Sequence, residues 1–135
     1  MSTRLTQRYQ NFSKSLLLME KSLEIEHPSV TENAGIIQFY EMTFELGWKC
    51  LKDYFNEQGL DVKYPREVIK TGIEKEVLKD GKEWMQALND RNLTSHLYDE
   101  QAAMQAVISI REIYKPLFDE LNLFLKSYLE TSHDE

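Results

Sequence analysis

An all-α fold, an up-and-down antiparallel bundle of four to five helices, is what this sequence predicts, on three observations. Apolar residues recur at alternating steps of three and four along most of the chain, the mark of helices with one buried face. No segment reads as a strand. Five Gly and three Pro in 135 residues leave little material for the many turns of a β-sandwich.

The first helix is expected from about Thr3 to Glu26, with Leu5, Tyr9, Phe12, Leu16, Met19 and Leu23 on one stripe. His27-Pro28 ends it, since the residue before a proline is pushed out of helical geometry. Ser29-Val30-Thr31-Glu32 has the form of a capping box opening the second helix. There Ile37, Tyr40, Phe44, Trp48, Leu51 and Phe55 repeat the spacing until Gly59 supplies a C-terminal stop. Two stripes joined by a short loop predict an antiparallel helical hairpin. Phe39, Leu46 and Tyr54 fall partly off the stripes and predict a second apolar surface, as a homodimer requires.

An extended link from Asp61 to Tyr64 leads to Pro65, suited to the first position of a third helix through about Val77. Asp80-Gly81-Lys82-Glu83 is expected to cap a fourth helix that carries Trp84, Met85 and Leu88 and ends near Arg91 or Asn92. Leu93 to Tyr98 lack a helical stripe and read as a turn. Asp99 suits the N-cap of the last helix, in which Ala103, Val107, Ile110, Tyr114, Leu117, Leu121 and Phe124 face inward. Pro116 inside that pattern predicts a kink rather than a stop. Thr131 to Glu135 reads as a frayed tail, and with no repeat or linker, residues 1–135 read as a single domain.

The composition, 41% hydrophobic and 29% charged, is that of a globular protein. The longest apolar run, Leu16 to Met19, is far short of the roughly 20 residues of a membrane span. The first residues turn polar at once, unlike a secretion signal, and a lone Cys50 cannot make an internal disulfide. Cys50 reads as a small buried hydrophobe, and the cytoplasm is the expected address. A formal charge of −7 argues against general affinity for nucleic acid, because phosphate binding needs a basic surface. It leaves room for a local basic site and suits a basic partner.

Two segments, Glu24 to His27 and Glu130 to His133, spell the Glu-x-x-His of di-iron bundles. One abuts Pro28 and the other lies in the tail, so both read as solvated helix ends and no metal is expected. There is no Cys pair, no His-x3-His, no glycine-rich phosphate loop and no Gly-x-Ser-x-Gly, and no cofactor is expected.

The segment Asp90-Arg91-Asn92-Leu93-Thr94-Ser95-His96-Leu97-Tyr98-Asp99 differs from the rest. It gathers a guanidinium, an imidazole, two hydroxyls, a phenol and an amide between two apolar helices. An arginine clamps phosphate and neutralises charge that builds in a transition state. A histidine moves protons near neutral pH. Together they suffice for metal-free RNA cleavage by the ribose 2′-hydroxyl. The same residues also fit a plain structural role, with Arg91 capping one helix while Thr94, Ser95 and Asp99 cap the next. Arg and His at this spacing arise readily by chance; the tyrosine two residues later makes the pattern uncommon.

Arg91-Asn92-Leu93-Thr94-Ser95-His96-Leu97-Tyr98 resembles the Arg-x4-His-x-Tyr signature of HEPN-domain proteins. Phe44-Glu45-Leu46-Gly47-Trp48-Lys49, Pro65-Arg66-Glu67-Val68-Ile69 and Asp80-Gly81-Lys82-Glu83-Trp84 resemble the nucleotidyltransferase substrate-binding branch of that family, with similarity to about Leu125. The resemblance implies a homodimeric helical bundle paired with a minimal nucleotidyltransferase encoded nearby, in the manner of a toxin–antitoxin system. It implies a metal-independent ribonuclease with an RNA substrate, silenced when the partner attaches AMP to the motif tyrosine. His96 would be the acid–base group, Arg91 the phosphate clamp, Asn92 a polar positioner and Tyr98 the modified residue. The other reading of this branch is a non-catalytic substrate-binding subunit of a two-component nucleotidyltransferase. Dimerisation would bring two Arg–His pairs into one cleft, and Arg66, Lys70, Lys75 and Lys82 would offset the acidic charge if they faced it. Tyr98 is expected at the mouth of that cleft, the alternative being a phenol closed over the turn.

Overall fold

The second apolar stripe becomes the axis of the molecule. In the computed structural model, which describes residues 3–133, Ser29 caps helix α2 (Val30–Glu57). Its hydroxyl accepts from Glu32 N–H at 3.1 Å, and the Glu32 carboxylate accepts from Ser29 N–H at 2.9 Å. This reciprocal box satisfies two donors that a helix start would otherwise leave unpaired. At the far end Gly59 adopts φ 88°. That lets Leu60 N–H reach Phe55 O and Gly59 N–H reach Asn56 O, the Schellman pattern that closes a helix.

Helix α1 (Thr3–Ser22) packs along α2 as the expected hairpin but stops short of Glu26. Beyond Ser22 the bonds tighten, with Glu24 N–H on Lys21 O and Ile25 N–H on Ser22 O. Arg111 supplies the reason, donating Nη2 to Leu23 O at 3.1 Å and to Ile25 O at 3.3 Å. A cation on the free carbonyls of a helix C-terminus offsets both their lost bonds and the dipole, so the helix ends before Pro28 is reached.

Three further helices and two tight turns complete the chain. Helix α3 (Pro65–Glu74) begins at the proline and ends three residues before Val77, where Glu76 turns left-handed at φ 61°. Helix α4 (Gly81–Asn89) follows Asp80, which takes the N-cap position without a side-chain bond. A 3-10 turn (Leu93–His96) leads to Asp99, whose carboxylate accepts from Ala102 N–H and caps α5 (Glu100–Ser109). A π turn (Ile110–Tyr114) joins α5 to α6 (Lys115–His133), so these segments run on as one helix and, among the described residues, the bundle has five. Pro116 was expected to kink this helix; the irregularity is the π turn just before it, where Lys115 N–H bonds Ile110 O. The helix continues to His133, where a tail frayed from Thr131 was expected; residues 134 and 135 lie outside the described residues. Among the described residues there is no strand, and no helix is long and apolar enough to cross a membrane.

The core forms around α2, which touches α1, α3, α5, α6 and the 3-10 turn. Tyr40 stacks with Tyr114 (ring centroids 5.2 Å apart) and with Phe118 (5.8 Å), and its hydroxyl donates to Ala87 O at 2.7 Å. One residue thereby ties α2, α4 and the last helix together. A Cβ at Gly47 would stand 3.0 Å from a Phe12 ring carbon and 3.3 Å from Leu121, so glycine lets α1 and α6 close on α2. Phe39, Leu46 and Tyr54 do not form the expected second apolar surface. They are half-buried against this molecule's own core, with Tyr54 edge-on to Phe124 and Tyr128. The exposed large apolar side chains are others, among them Leu17, Leu18, Met104, Ile108 and Leu123. Cys50 is buried, and burial pushes its thiol up to about 12.

Candidate active site

The end of α4 is anchored before the site begins. Asp90, the C-cap of α4, accepts a short hydrogen bond from the Tyr114 hydroxyl. The π turn places Tyr114 there, and burial together with the Asp90 carboxylate pushes its phenol above the usual range, so it stays a donor. Arg91 follows directly and is half-buried. Among the described residues its guanidinium has no hydrogen-bond or ion-pair partner, so it does not cap α4. It lines a groove of about 370 Å³ with Tyr64, Pro65, Arg66, Leu88, Asn89 and Asn92. Of the four cations considered for this role, Arg66 lines the groove, and Lys70, Lys75 and Lys82 do not.

The turn after Asn92 is held from two sides. Asn92 O accepts Ser95 N–H at 3.2 Å and the Ser95 hydroxyl at 2.7 Å, which closes the 3-10 turn. From α2, the Glu41 carboxylate accepts Thr94 N–H at 2.7 Å and the Thr94 hydroxyl at 2.9 Å. Two bonds to one ionised acceptor fix the turn against the core helix. Thr94 and Ser95 therefore serve the turn itself, and Asp99 alone caps α5.

The acid–base candidate and the modification candidate are presented to solvent. His96 closes the 3-10 turn and is exposed, and Tyr98 is 86% exposed. Their rings lie 6.5 Å apart at 56°. The phenol does not close over the turn. Arg91 and Asn92 share the groove, but His96 and Tyr98 are not among its lining residues. The single chain thus gathers the four candidates on one anchored turn without enclosing them in one cleft.

Of the two metal-like spacings, Glu130 to His133 ends on a side chain that lies outside the described ones. Glu24 and His27 lie in the connection after α1, both exposed, and among the described residues no three metal-ligating side chains cluster.

Over residues 7–127 the sequence matches the family described as nucleotidyltransferase substrate binding protein like. The chain belongs to that HEPN-like family. A protein of Haemophilus influenzae named "Probable ribonuclease HepT" is 28% identical to this member of the nucleotidyltransferase substrate-binding family over 91 residues. That match covers 62% of each chain, so the chain spans less than two thirds of the relative's length. A crystal structure of a Thermus thermophilus protein superposes with a TM-score of 0.78 at 31% identity, covering 84% of this chain and 98% of that one. That protein therefore shares this helical bundle.

For this member of the nucleotidyltransferase substrate-binding family, sequence reasoning missed Glu41, Tyr64 and Tyr114. Glu41 and Tyr64 carry no local signal, since each acts on residues distant in the chain. Tyr114 had one: a tyrosine on a buried stripe needs a partner for its hydroxyl, and Asp90 was at hand.

Proposed function

We propose that this protein is a HEPN-type ribonuclease toxin, silenced by AMP transfer from a partner nucleotidyltransferase. The observation that carries this reading is an Arg91 unpaired among the described residues and a solvent-facing His96, on one short segment that Asp90 and Glu41 hold to the core. The name of the Haemophilus influenzae relative supports it. In the reaction His96 takes the proton from a ribose 2′-hydroxyl, and the oxygen attacks the adjacent phosphorus. The bond from phosphorus to the 5′-oxygen breaks, and that oxygen leaves with a proton. Arg91 offsets the charge on the pentacoordinate phosphorane. The products are a 2′,3′-cyclic phosphate and a 5′-hydroxyl. Base and charge clamp are side chains, so the step needs no metal. A homodimer supplies the second Arg91–His96 pair and with it the acid for the leaving oxygen.

The test incubates purified protein with RNA, with and without EDTA, beside Arg91→Ala and His96→Ala. Each variant should lose cleavage by about 10²-fold or more at unchanged helical content, and EDTA should have no effect. Metal-dependent cleavage that survives His96→Ala would sink the mechanism. The second reading, a non-catalytic substrate-binding subunit, is favoured by the family's description and by His96 lying outside the Arg91 groove. It is the reading that stands if pure dimer cleaves no RNA.

A further inference from the structure

The groove beside Arg91 has a composition at odds with the rest of the surface. The chain carries 23 acidic and 16 basic residues, yet among the described residues the groove is lined by two arginines, two asparagines and no carboxylate. Three cations elsewhere are engaged by protein groups: Arg8 faces Asp53, Lys115 bridges Glu20 and Asp119, and Arg111 caps α1. Arg66 and Arg91 have no such partner among the described residues. The neighbouring acids are committed elsewhere, Asp90 to the Tyr114 hydroxyl and Glu67 to Lys63 N–H at 2.8 Å. Two guanidiniums left free in one groove form a site for anions.

Tyr64 adds a second kind of contact. It is 69% exposed, stacks on no other ring among the described residues, and sits just before Pro65 with extended backbone (φ −112°, ψ 150°). Proline holds the preceding residue in that geometry, so the ring is offered at a fixed place on the groove's edge. An exposed ring beside two arginines is the pairing that single-stranded nucleic acid uses, with bases stacking on the ring and phosphates on the cations. A volume of about 370 Å³ lies at the small end of ligand pockets, enough for one nucleotide unit. A duplex keeps its bases stacked inside and offers the ring nothing to stack on.

We propose that this groove is a nucleotide subsite for single-stranded RNA: Tyr64 stacks on one base, and Arg66 holds the phosphate next to the one clamped by Arg91. RNA as the strand rests on the ribonuclease reading, and the subsite names residues beyond the motif that set affinity for it.

The experiment measures binding apart from cleavage. A short fluorescent 2′-O-methyl oligoribonucleotide lacks the attacking hydroxyl, so its anisotropy reports affinity alone. Both side chains are exposed, and thermal melts of the variants should overlay the wild type. Arg66→Ala should weaken binding about tenfold and reduce the salt dependence by about 0.7 in log–log slope, one phosphate on a single strand. Tyr64→Ala should also cost about tenfold, while Tyr64→Phe, which keeps the ring, should bind like wild type. On cleavable RNA, Arg66→Ala should raise KM and leave kcat in place. Unchanged affinity and KM in Arg66→Ala and Tyr64→Ala, in a protein that cleaves RNA, would overturn the subsite and spare the ribonuclease. Binding that depends on Tyr64 and Arg66, in a protein that cleaves nothing, would uphold the subsite and remove the ribonuclease.

Discussion

Thr94 presents two donors, its N–H and its hydroxyl, and one carboxylate, Glu41, accepts both. Hydrogen bonds to a charged acceptor are worth about 1.5–3 kcal/mol each, enough to hold an otherwise exposed turn. Glu41→Gln keeps the shape but offers one acceptor and points an amide N–H₂ at a donor. Its fold should be intact, Thr94 amide exchange faster, and RNA cleavage lower by about tenfold, the equivalent of roughly one such bond. Wild-type exchange and cleavage together would show that the clamp is idle. Asp53 teaches the opposite lesson about a charge near a cation. Its Oδ2 lies 3.1 Å from Arg8 Nη1 yet accepts no hydrogen bond among the described residues, because the contact is close but misaligned. Burial raises the Asp53 pKa more than Arg8 lowers it. With the folded pKa above the unfolded value of about 3.9, the folded state holds its proton longer. The stability this group contributes is full below that value and is lost as pH rises through the raised folded pKa. Urea denaturation across that acid window should therefore show Asp53→Asn gaining on the wild type as pH rises. A pH-independent difference between the two proteins would contradict the assignment.

At the scale of elements, the end of α3 carries a removable strain. Glu76 takes φ 61° so that Val77 N–H reaches Gly72 O at 2.9 Å and Glu76 N–H reaches Ile73 O at 3.1 Å. This is the same closing pattern that Gly59 makes for α2, but a residue with a Cβ pays about 1 kcal/mol for the left-handed conformation. Glu76→Gly should raise stability by about 1 kcal/mol and the melting temperature by a few degrees; an unchanged or lower Tm would mean that the glutamate side chain compensates. Glycine marks such a stop in sequence and glutamate does not, which is why α3 was read through to Val77. The starts at Ser29 and Asp99 and the stop at Gly59 were legible because cap chemistry acts within a few residues. The end of α1 was not, because the group that closes it, Arg111, lies 88 residues from Leu23. The site divides the same way. Arg91, Asn92, His96 and Tyr98 share one short run and can be read as a pattern, whereas Glu41, Tyr64, Arg66 and Tyr114 reach that run only after α2, α3 and the π turn have packed.

For the whole molecule the question is control, and it turns on Tyr98. The ring is 86% exposed, two residues beyond His96, on a turn that the core holds in place. Packing makes no claim on it, so its hydroxyl is open to a second protein. In the proposed silencing step that oxygen attacks the α-phosphorus of ATP held by a partner nucleotidyltransferase; the bond to the β-phosphate oxygen breaks, pyrophosphate leaves, and the phenolic proton passes to solvent. A phosphodiester then adds negative charge to the turn that carries Arg91 and His96, in a chain already at −7. RNA is opposed in two ways, by like-charge repulsion and by competition for Arg91. In the proposed scheme the same fixed turn would ready the site for RNA and make it a fixed target for the partner. Co-expression with the proposed partner nucleotidyltransferase should yield protein heavier by whole units of AMP, with the added mass on a peptide containing Tyr98. Tyr98→Phe should show no such mass while keeping the ring, and it should remain toxic in the presence of the partner. An unmodified Tyr98 in a complex that nevertheless cuts no RNA would show instead that the partner silences the site by covering it.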